Sequence, residues 1–458
     1  MDSQTVTQKI ELVQRFHSRL KFPTMSVSIA SSFLPSTNVL AIKILPSATT
    51  GVRRPFHLAL TIDTSGSMEG PRIQAVKRTL HLLIDAMADD DVLSLISYSH
   101  ESQIDANATV LSAATRPVLH EIVNRLEADG GTNMESAFVA LDTLSKEPAI
   151  DSVFLLTDGQ INQGISATSG LQRILGSILV PGTPVNTLGF GADHNIRLLR
   201  DMAMRSRGSY TYADADEMLP AIIGDIMGGL ATETGRNGIL TIPAGWRCLE
   251  LGCEVGDTQY VVGTLIAEKE QWIVLEGPEG AATSGSPIFQ FQWSDADTHV
   301  EIHTTGDTIP AIVVAEQRDR VHVAAVFSRV TDMFENSQTA EAKTALTELG
   351  NYLDSSTAKA RPFVIRLHAQ VDEMLDMISS YPVLPPLLHG FGGGIALGPP
   401  LFAPALSRMA SNTAALGVQR GFFTNGAGAI EGSYSSPTQT HNRRVISTGY
   451  TQLAEHDI

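Results

Sequence analysis

Cysteine is nearly absent: the 458 residues hold two, Cys248 and Cys253, both within WRCLELGCEV. On a strand they are an odd number of positions apart and point to opposite faces, which argues against a disulfide. No Cys or His group stands nearby at ligand spacing, so a zinc pair is not expected either. The two read as buried thiols of a reducing, cytoplasmic compartment. In that setting the Asn107 sequon carries no meaning. Long apolar runs are missing as well; none approaches ~18 residues, so no membrane span is expected. The first twenty residues are charged throughout and lack an apolar core followed by a small-residue cleavage site, so they do not read as a secretory signal. Positive charge is also scarce. Lys and Arg number 32 against 49 Asp and Glu, a formal net charge of −17, which argues against nucleic acid as a general partner and against an anionic membrane surface as a target.

What remains is an ordinary globular composition, 43% hydrophobic and 18% charged, in a chain long enough for two or three domains. From residue 56 to 235 apolar strands alternate with helices. FHLALTID is a strand. PRIQAVKRTLHLLIDAMA is a helix with Pro71 in its first turn and Ile73, Val76, Leu80, Leu83, Ile84 and Met87 on one face. DVLSLISYS, DSVFLLTD, PVNTLGFG and GSYTYAD are further strands, and SQIDANATVL is a hairpin or edge strand. Strands apolar on both faces and separated by helices predict a doubly wound α/β domain whose site lies beyond the carboxyl ends of the strands.

Residues 236–312 change character, with short strands parted by Gly, Pro and Asp turns that predict an antiparallel β-sandwich. Residues 1–55 contain two similar strands, TMSVSIAS and NVLAIKILP. The economical expectation is one sandwich built from both flanks, with the α/β domain inserted. Residues 313–381 are expected to be helical, with a clear period from about Val321 through Val323, Val326, Val330 and Phe334. Residues 382–458 form a Gly/Pro/Ser-rich tail.

Three stretches of the α/β region carry oxygen-bearing side chains to one edge. The first strand ends in DTSGS, with Asp63, Ser65 and Ser67. Thr132 lies in GGTN before a helix, and Asp158 ends another buried strand in TDG. Each has a plain reading: Ser67 or Glu69 as the cap of the next helix, Thr132 as the cap of the helix at Met134, and TDG as a common turn. Taken together they place two carboxylates and three hydroxyls on one spot without nitrogen or sulfur, a donor set for Mg²⁺, Mn²⁺ or Ca²⁺.

DTSGS, GGTN and TDG in this order resemble the metal-ion-dependent adhesion site of a von Willebrand factor type A domain, a Rossmann-like fold, over about residues 56 to 235. The resemblance implies that Ser65 and Ser67 bind the metal directly, that Thr132 does so directly or through water, and that Asp63 and Asp158 often act through water. It also implies a protein partner that supplies an Asp or Glu carboxylate to the open position. The wider layout resembles plant RING-containing wavy-growth proteins and fungal proteins carrying a Hint domain, on GFGADH and the region after it. Two cysteines cannot build a RING, and no cysteine follows Cys253 to serve as a Hint nucleophile.

The expectation is a metal-dependent adaptor, not an enzyme. A structural or assembly protein using the sandwich and tail is the alternative, and a metal-dependent hydrolase the weaker one. Ser65 stands where an aspartyl phosphatase needs a second Asp, and no GxSxG elbow occurs. HEIVN, at His120 and Glu121, lacks the second histidine of a metalloprotease and reads as a solvated helix face. His194 is expected to brace its turn.

Overall fold

The computed structural model describes residues 27–34, 37–47, 54–144, 149–158, 160–179, 183–190, 194–213, 219–250, 258–281, 287–293, 300–303, 309–336 and 338–380. Expectations for the N-terminal stretch, Gly159, the turn at 191–193, Cys253 and the tail lie outside them.

In chain order the described elements open with β1 (Val27–Phe33), β2 (Val39–Pro46) and β3 (His57–Asp63). Next come α1 (Pro71–Ala86), β4 (Val92–Tyr98), β5 (Ser102–Val110), α2 (Arg116–Asn124), α3 (Met134–Thr143) and β6 (Ser152–Thr157). The α/β unit closes with α4 (Thr168–Ile178), β7 (Val185–Phe190), α5 (Ile196–Arg205), β8 (Tyr210–Ala213) and α6 (Leu219–Ala231). Short strands follow: β9 (Glu233–Thr241), β10 (Arg247–Cys248), β11 (Gln259–Ile266), β12 (Gln271–Glu276), β13 (Ile288–Gln292) and β14 (Val300–His303). Three helices end the described chain, α7 (Ala311–Glu335), α8 (Thr339–Ser355) and α9 (Pro362–Ser380).

A six-stranded mixed sheet in the order β5-β4-β3-β6-β7-β8 forms the α/β unit, parallel except where β5 runs against β4. Every residue of β3 and β6 is buried, because helices cover both faces. Alternate residues of β3 divide between two cores. Leu58, Leu60 and Ile62 pack with Val76, Leu80 and Ile84 of α1 and with Leu119 and Val123 of α2. Ala59 faces the other core, with Met134 and Phe138 of α3 and Leu198 and Leu199 of α5. β5 carries the exposed, partly charged pattern of an edge. Strand order reverses around β3, which has β4 on one side and β6 on the other; the crevice between β3 and β6 is therefore the topological switch point.

Two four-stranded antiparallel sheets stand apart from this unit, β1-β2-β12-β10 and β11-β9-β13-β14. The N-terminal strands thus pair with one from beyond the α/β unit: Leu40 lies opposite Leu275, and Ile42 opposite Ile273. The strand period of two again sorts side chains. Leu40, Ile42, Ile44, Ile273 and Leu275 face a core shared with Leu240, Phe289 and Phe291 of the second sheet. Ala41, Trp272 and Val274 face the helices, among them Val314, Val323 and Phe327 of α7.

α7 begins at Ala311, two residues ahead of the helical segment expected from 313. Its early turns carry Glu316, Gln317, Arg318, Asp319 and Arg320, a run of charged and polar side chains. Four of the five are buried in ion pairs and hydrogen bonds. Arg320, with no exposed surface, bonds Glu250 through both terminal nitrogens and Gln317 through Nε. Asp319 accepts hydrogen bonds from Tyr352 and Ser356. Cys248 is buried on β10. No described helix is long and apolar enough to cross a membrane.

Candidate metal site at the sheet edge

Asp63 is the last residue of β3, and Asp158 directly follows β6, so the switch-point crevice has a carboxylate on either side. Both are fully buried. Ser65 and Ser67 occupy a short 3-10 turn at Gly66–Met68, and Thr132 sits in the loop before α3. Two backbone hydrogen bonds lace the first loop to the second: Gly66 N–H to the Gly130 carbonyl at 3.0 Å, and Asp129 N–H to the Thr64 carbonyl at 2.8 Å. Gly130 adopts φ +79°, and a Cβ there would meet His100 Nδ1 at 2.9 Å, so glycine is required. Thr132 is held through its peptide groups: its N–H donates to Asn162 Oδ1 at 2.9 Å, and its carbonyl accepts from the N–H groups of Asn162 and Gln163. Thus the second loop is tied in turn to the loop after β6.

None of the capping roles open to these residues is used. α1 has Gly70 at its N-cap, with no side-chain cap hydrogen bond. α3 is capped by Asn133, whose side chain accepts from Ser136 N–H. The hydroxyls of Ser65 and Ser67 lie 3.1 Å apart, hydrogen-bonded to each other.

Asp63 is rigidly oriented. Its Oδ1 accepts the Ser65 N–H at 2.9 Å and its Oδ2 accepts the Thr157 hydroxyl at 2.5 Å. Burial pushes its carboxyl up to about 6, with the charge of Asp158 adding to the push and the Thr157 and Ser65 hydrogen bonds opposing it. Tyr98, opposite Asp63 on β4, is fully buried, and its hydroxyl is pushed well above its usual value by burial and by the Asp63 charge. Arg72, in the first turn of α1, donates from Nη1 to the Ser67 carbonyl at 3.0 Å and to Asp158 Oδ2 at 3.4 Å. Sequence reasoning passed over Thr157, Asn162 and Arg72. Thr157 and Arg72 stand inside or beside the quoted motifs; Asn162 had no signal.

Among the described residues no group of three or more His, Cys, Asp or Glu side chains is arranged to hold a metal. The candidate therefore rests on two carboxylates and three hydroxyls. Two buried carboxylates with one partly exposed guanidinium leave the crevice short of positive charge, and that deficit together with the all-oxygen donors fits a hard divalent cation.

Two histidines singled out from sequence are structural. His194 is buried, bonds Tyr210 through Nε2 at 2.5 Å and stacks on Tyr212. His120 is half-buried on its helix face. It packs between α2 and α1, its Nδ1 2.7 Å from Nδ1 of His81 and its Nε2 donating to Asp85 at 3.0 Å. Glu121 does face solvent, beside Arg125.

Residues 57–225, which hold this mixed sheet, match the von Willebrand factor type A domain family and form such a domain. An uncharacterized protein of the cyanobacterium Synechocystis is 32% identical over 167 residues, 35% of this chain and 38% of that protein. Human inter-alpha-trypsin inhibitor heavy chain H3 is 28% identical over 208 residues, 41% of this chain and 23% of that protein. The chain thus spans well under half the length of these relatives. Among solved structures, a von Willebrand factor type A protein from Catenulispora acidiphila aligns with a TM-score of 0.62 at 17% identity, over 86% of this chain and 97% of that one. The ArnB paralog VWA2 from Sulfolobus acidocaldarius aligns at 0.51 and 14% identity, over 86% and 98%. These likenesses are of fold, and they extend beyond the α/β unit.

Proposed function

We propose that the chain is a divalent-metal-dependent protein-binding module, an adaptor that captures an Asp or Glu side chain of a partner at the edge of the α/β domain. The carrying observation is the 3.1 Å separation of the Ser65 and Ser67 hydroxyl oxygens. Adjacent corners of an octahedron with metal–oxygen distances of ~2.1 Å are about 3.0 Å apart, so this pair is spaced for Mg²⁺. Ser65 and Ser67 would hold the ion directly, with Thr132 beside them. Asp63 and Asp158 would act through water, Asp63 kept in register by Thr157 and the Ser65 N–H. A bound Mg²⁺, or Mn²⁺ or Ca²⁺ in its place, supplies a compact positive charge with an open position for an anionic oxygen. Because the direct ligands are neutral hydroxyls, most of that charge remains available to a partner's carboxylate.

Binding rather than turnover is supported by the hydroxyl pair itself: Ser65 and Ser67 lie 3.1 Å apart, spaced to share one ion. Calorimetric titration with Mg²⁺ tests the metal, and affinity capture from cell extract with Mg²⁺ or EDTA tests the partner. One Mg²⁺ per chain is expected, lost in Ser65→Ala, with capture that EDTA releases. Full Mg²⁺ affinity in folded Ser65→Ala would overturn the assignment.

A further inference from the structure

The first turn of α1 holds a cation where helix electrostatics disfavours one. Helix N-termini carry partial positive charge and favour acidic side chains, yet α1 has no acidic residue in its first turn and has Arg72 there. Gly70, at φ +79°, and Pro71 turn the chain sharply out of the Ser67 loop, and Arg72 reaches back over it. Its Nη1 bridges the Ser67 carbonyl at 3.0 Å and Asp158 Oδ2 at 3.4 Å. Asp158 has no exposed surface, whereas the Arg72 side chain is 33% exposed. The contact to Asp158 is long for a charge-assisted hydrogen bond, which runs ~2.7–2.9 Å. Arg72 is therefore a counter-charge to Asp158 with a path to solvent.

We infer that Arg72 is a tethered cation that balances Asp158 when no divalent ion is present and competes with the ion for the site. This inference rests on the metal-site reading proposed above. A single and a double positive charge cannot share Asp158 without repulsion, so entry of the ion requires the guanidinium to give way toward solvent. Arg72 thereby sets the threshold of metal concentration at which the site fills. The protein trades affinity for a metal-free state that stays intact.

The test is Mg²⁺ titration calorimetry on the whole chain in three forms. Arg72→Gln is expected to bind Mg²⁺ about tenfold more tightly, the size of the repulsion between a single and a double charge about 6 Å apart in a water-like dielectric. Arg72→Lys keeps the charge and is expected to stay within about twofold of wild type. The gain in Arg72→Gln should shrink as salt is raised. A second readout needs no metal: in EDTA, Arg72→Gln should melt below wild type, because Asp158 loses its counter-charge, and saturating Mg²⁺ should close that gap. Equal or weaker Mg²⁺ binding in a folded Arg72→Gln would overturn the inference while leaving the metal site standing. Absence of Mg²⁺ binding in wild type would instead overturn the reading beneath it.

Discussion

Replacing Asp63 with asparagine should stabilise the metal-free protein. Asp63 has no exposed surface, and its carboxyl is pushed from its ordinary 3.8 to about 6, first by burial and then by Asp158. That gap corresponds to roughly 3 kcal/mol by which the charged form disfavours the fold at neutral pH. Asparagine is nearly the same shape and carries no charge. Its Oδ1 can accept the Ser65 N–H, and its Nδ2 can donate to the Thr157 hydroxyl, the two groups that now bond the carboxylate. A gain of about 1–3 kcal/mol is expected in EDTA at pH 7, or roughly 2–10 °C in Tm for a domain of this size. A group whose folded pKa is raised gives stability present below its unfolded pKa and lost as pH rises through the folded one. Wild type should therefore close on the variant as pH falls from about 6 to 3.8. Saturating Mg²⁺ should reverse the order: wild type gains ~4.1 kcal/mol at a thousandfold excess over Kd, and the variant gains little. The assay is thermal melting in EDTA and in Mg²⁺ across pH. An Asp63→Asn protein that melts below wild type in EDTA would refute the reasoning.

Thr132→Ala, at a buried loop position fixed through its peptide groups, should weaken Mg²⁺ binding tenfold or more while shifting Tm little; an unchanged calorimetric Kd would remove Thr132 from the ligand set. Glu250→Gln leaves the buried Arg320 charge unbalanced and should cost about 3–5 kcal/mol, with Glu250→Leu combined with Arg320→Met recovering much of it in denaturant melts. Gly208→Ala puts a Cβ 2.0 Å from the Val185 carbonyl oxygen, so a clear fall in Tm is expected with the backbone forced to shift. Burial holds the His81 imidazole below its ordinary 6.5, so protonation favours the unfolded chain and this part of the stability is lost as pH falls below 6.5. His81→Gln should flatten that fall between pH 7 and 5 relative to wild type.

The α/β unit was readable because its signal is local. β3 and β6 are continuous apolar runs, and the loops carrying Asp63, Ser65, Ser67, Thr132 and Asp158 follow directly from where strands stop and helices start. What escaped the sequence is non-local. The burial of the charged run in α7 had no local signal, because Glu250, Tyr352 and Ser356, which bond Arg320 and Asp319, lie 70, 33 and 37 residues away. His120 looked solvated because its partner, His81, lies 39 residues earlier on another helix. Arg72 stands beside a legible motif, but only folding brings it to Asp158, 86 residues on. Charged residues near the chain's own apolar runs are the ones whose placement periodicity cannot assign, since burial in a pair and exposure to water leave the same pattern.

The pairing of β2 with β12 sets a clock on synthesis. Lys43 on β2 and Glu270 at the start of β12 are bonded at 3.1 Å yet lie 227 residues apart in the chain. At ~5–20 residues per second, a ribosome needs roughly 10–45 s to bring the second strand out after the first. Through that interval the hairpin of β1 and β2 has no partner for Leu40, Ile42 and Ile44, while the whole α/β unit emerges and has time to close. The nascent protein thus carries an unpaired apolar ribbon ahead of its α/β unit. Binding of that ribbon by a chaperone, or its capture by the same ribbon on a neighbouring chain, competes with completion until β12 arrives and fastens both ends of the α/β unit to one sheet.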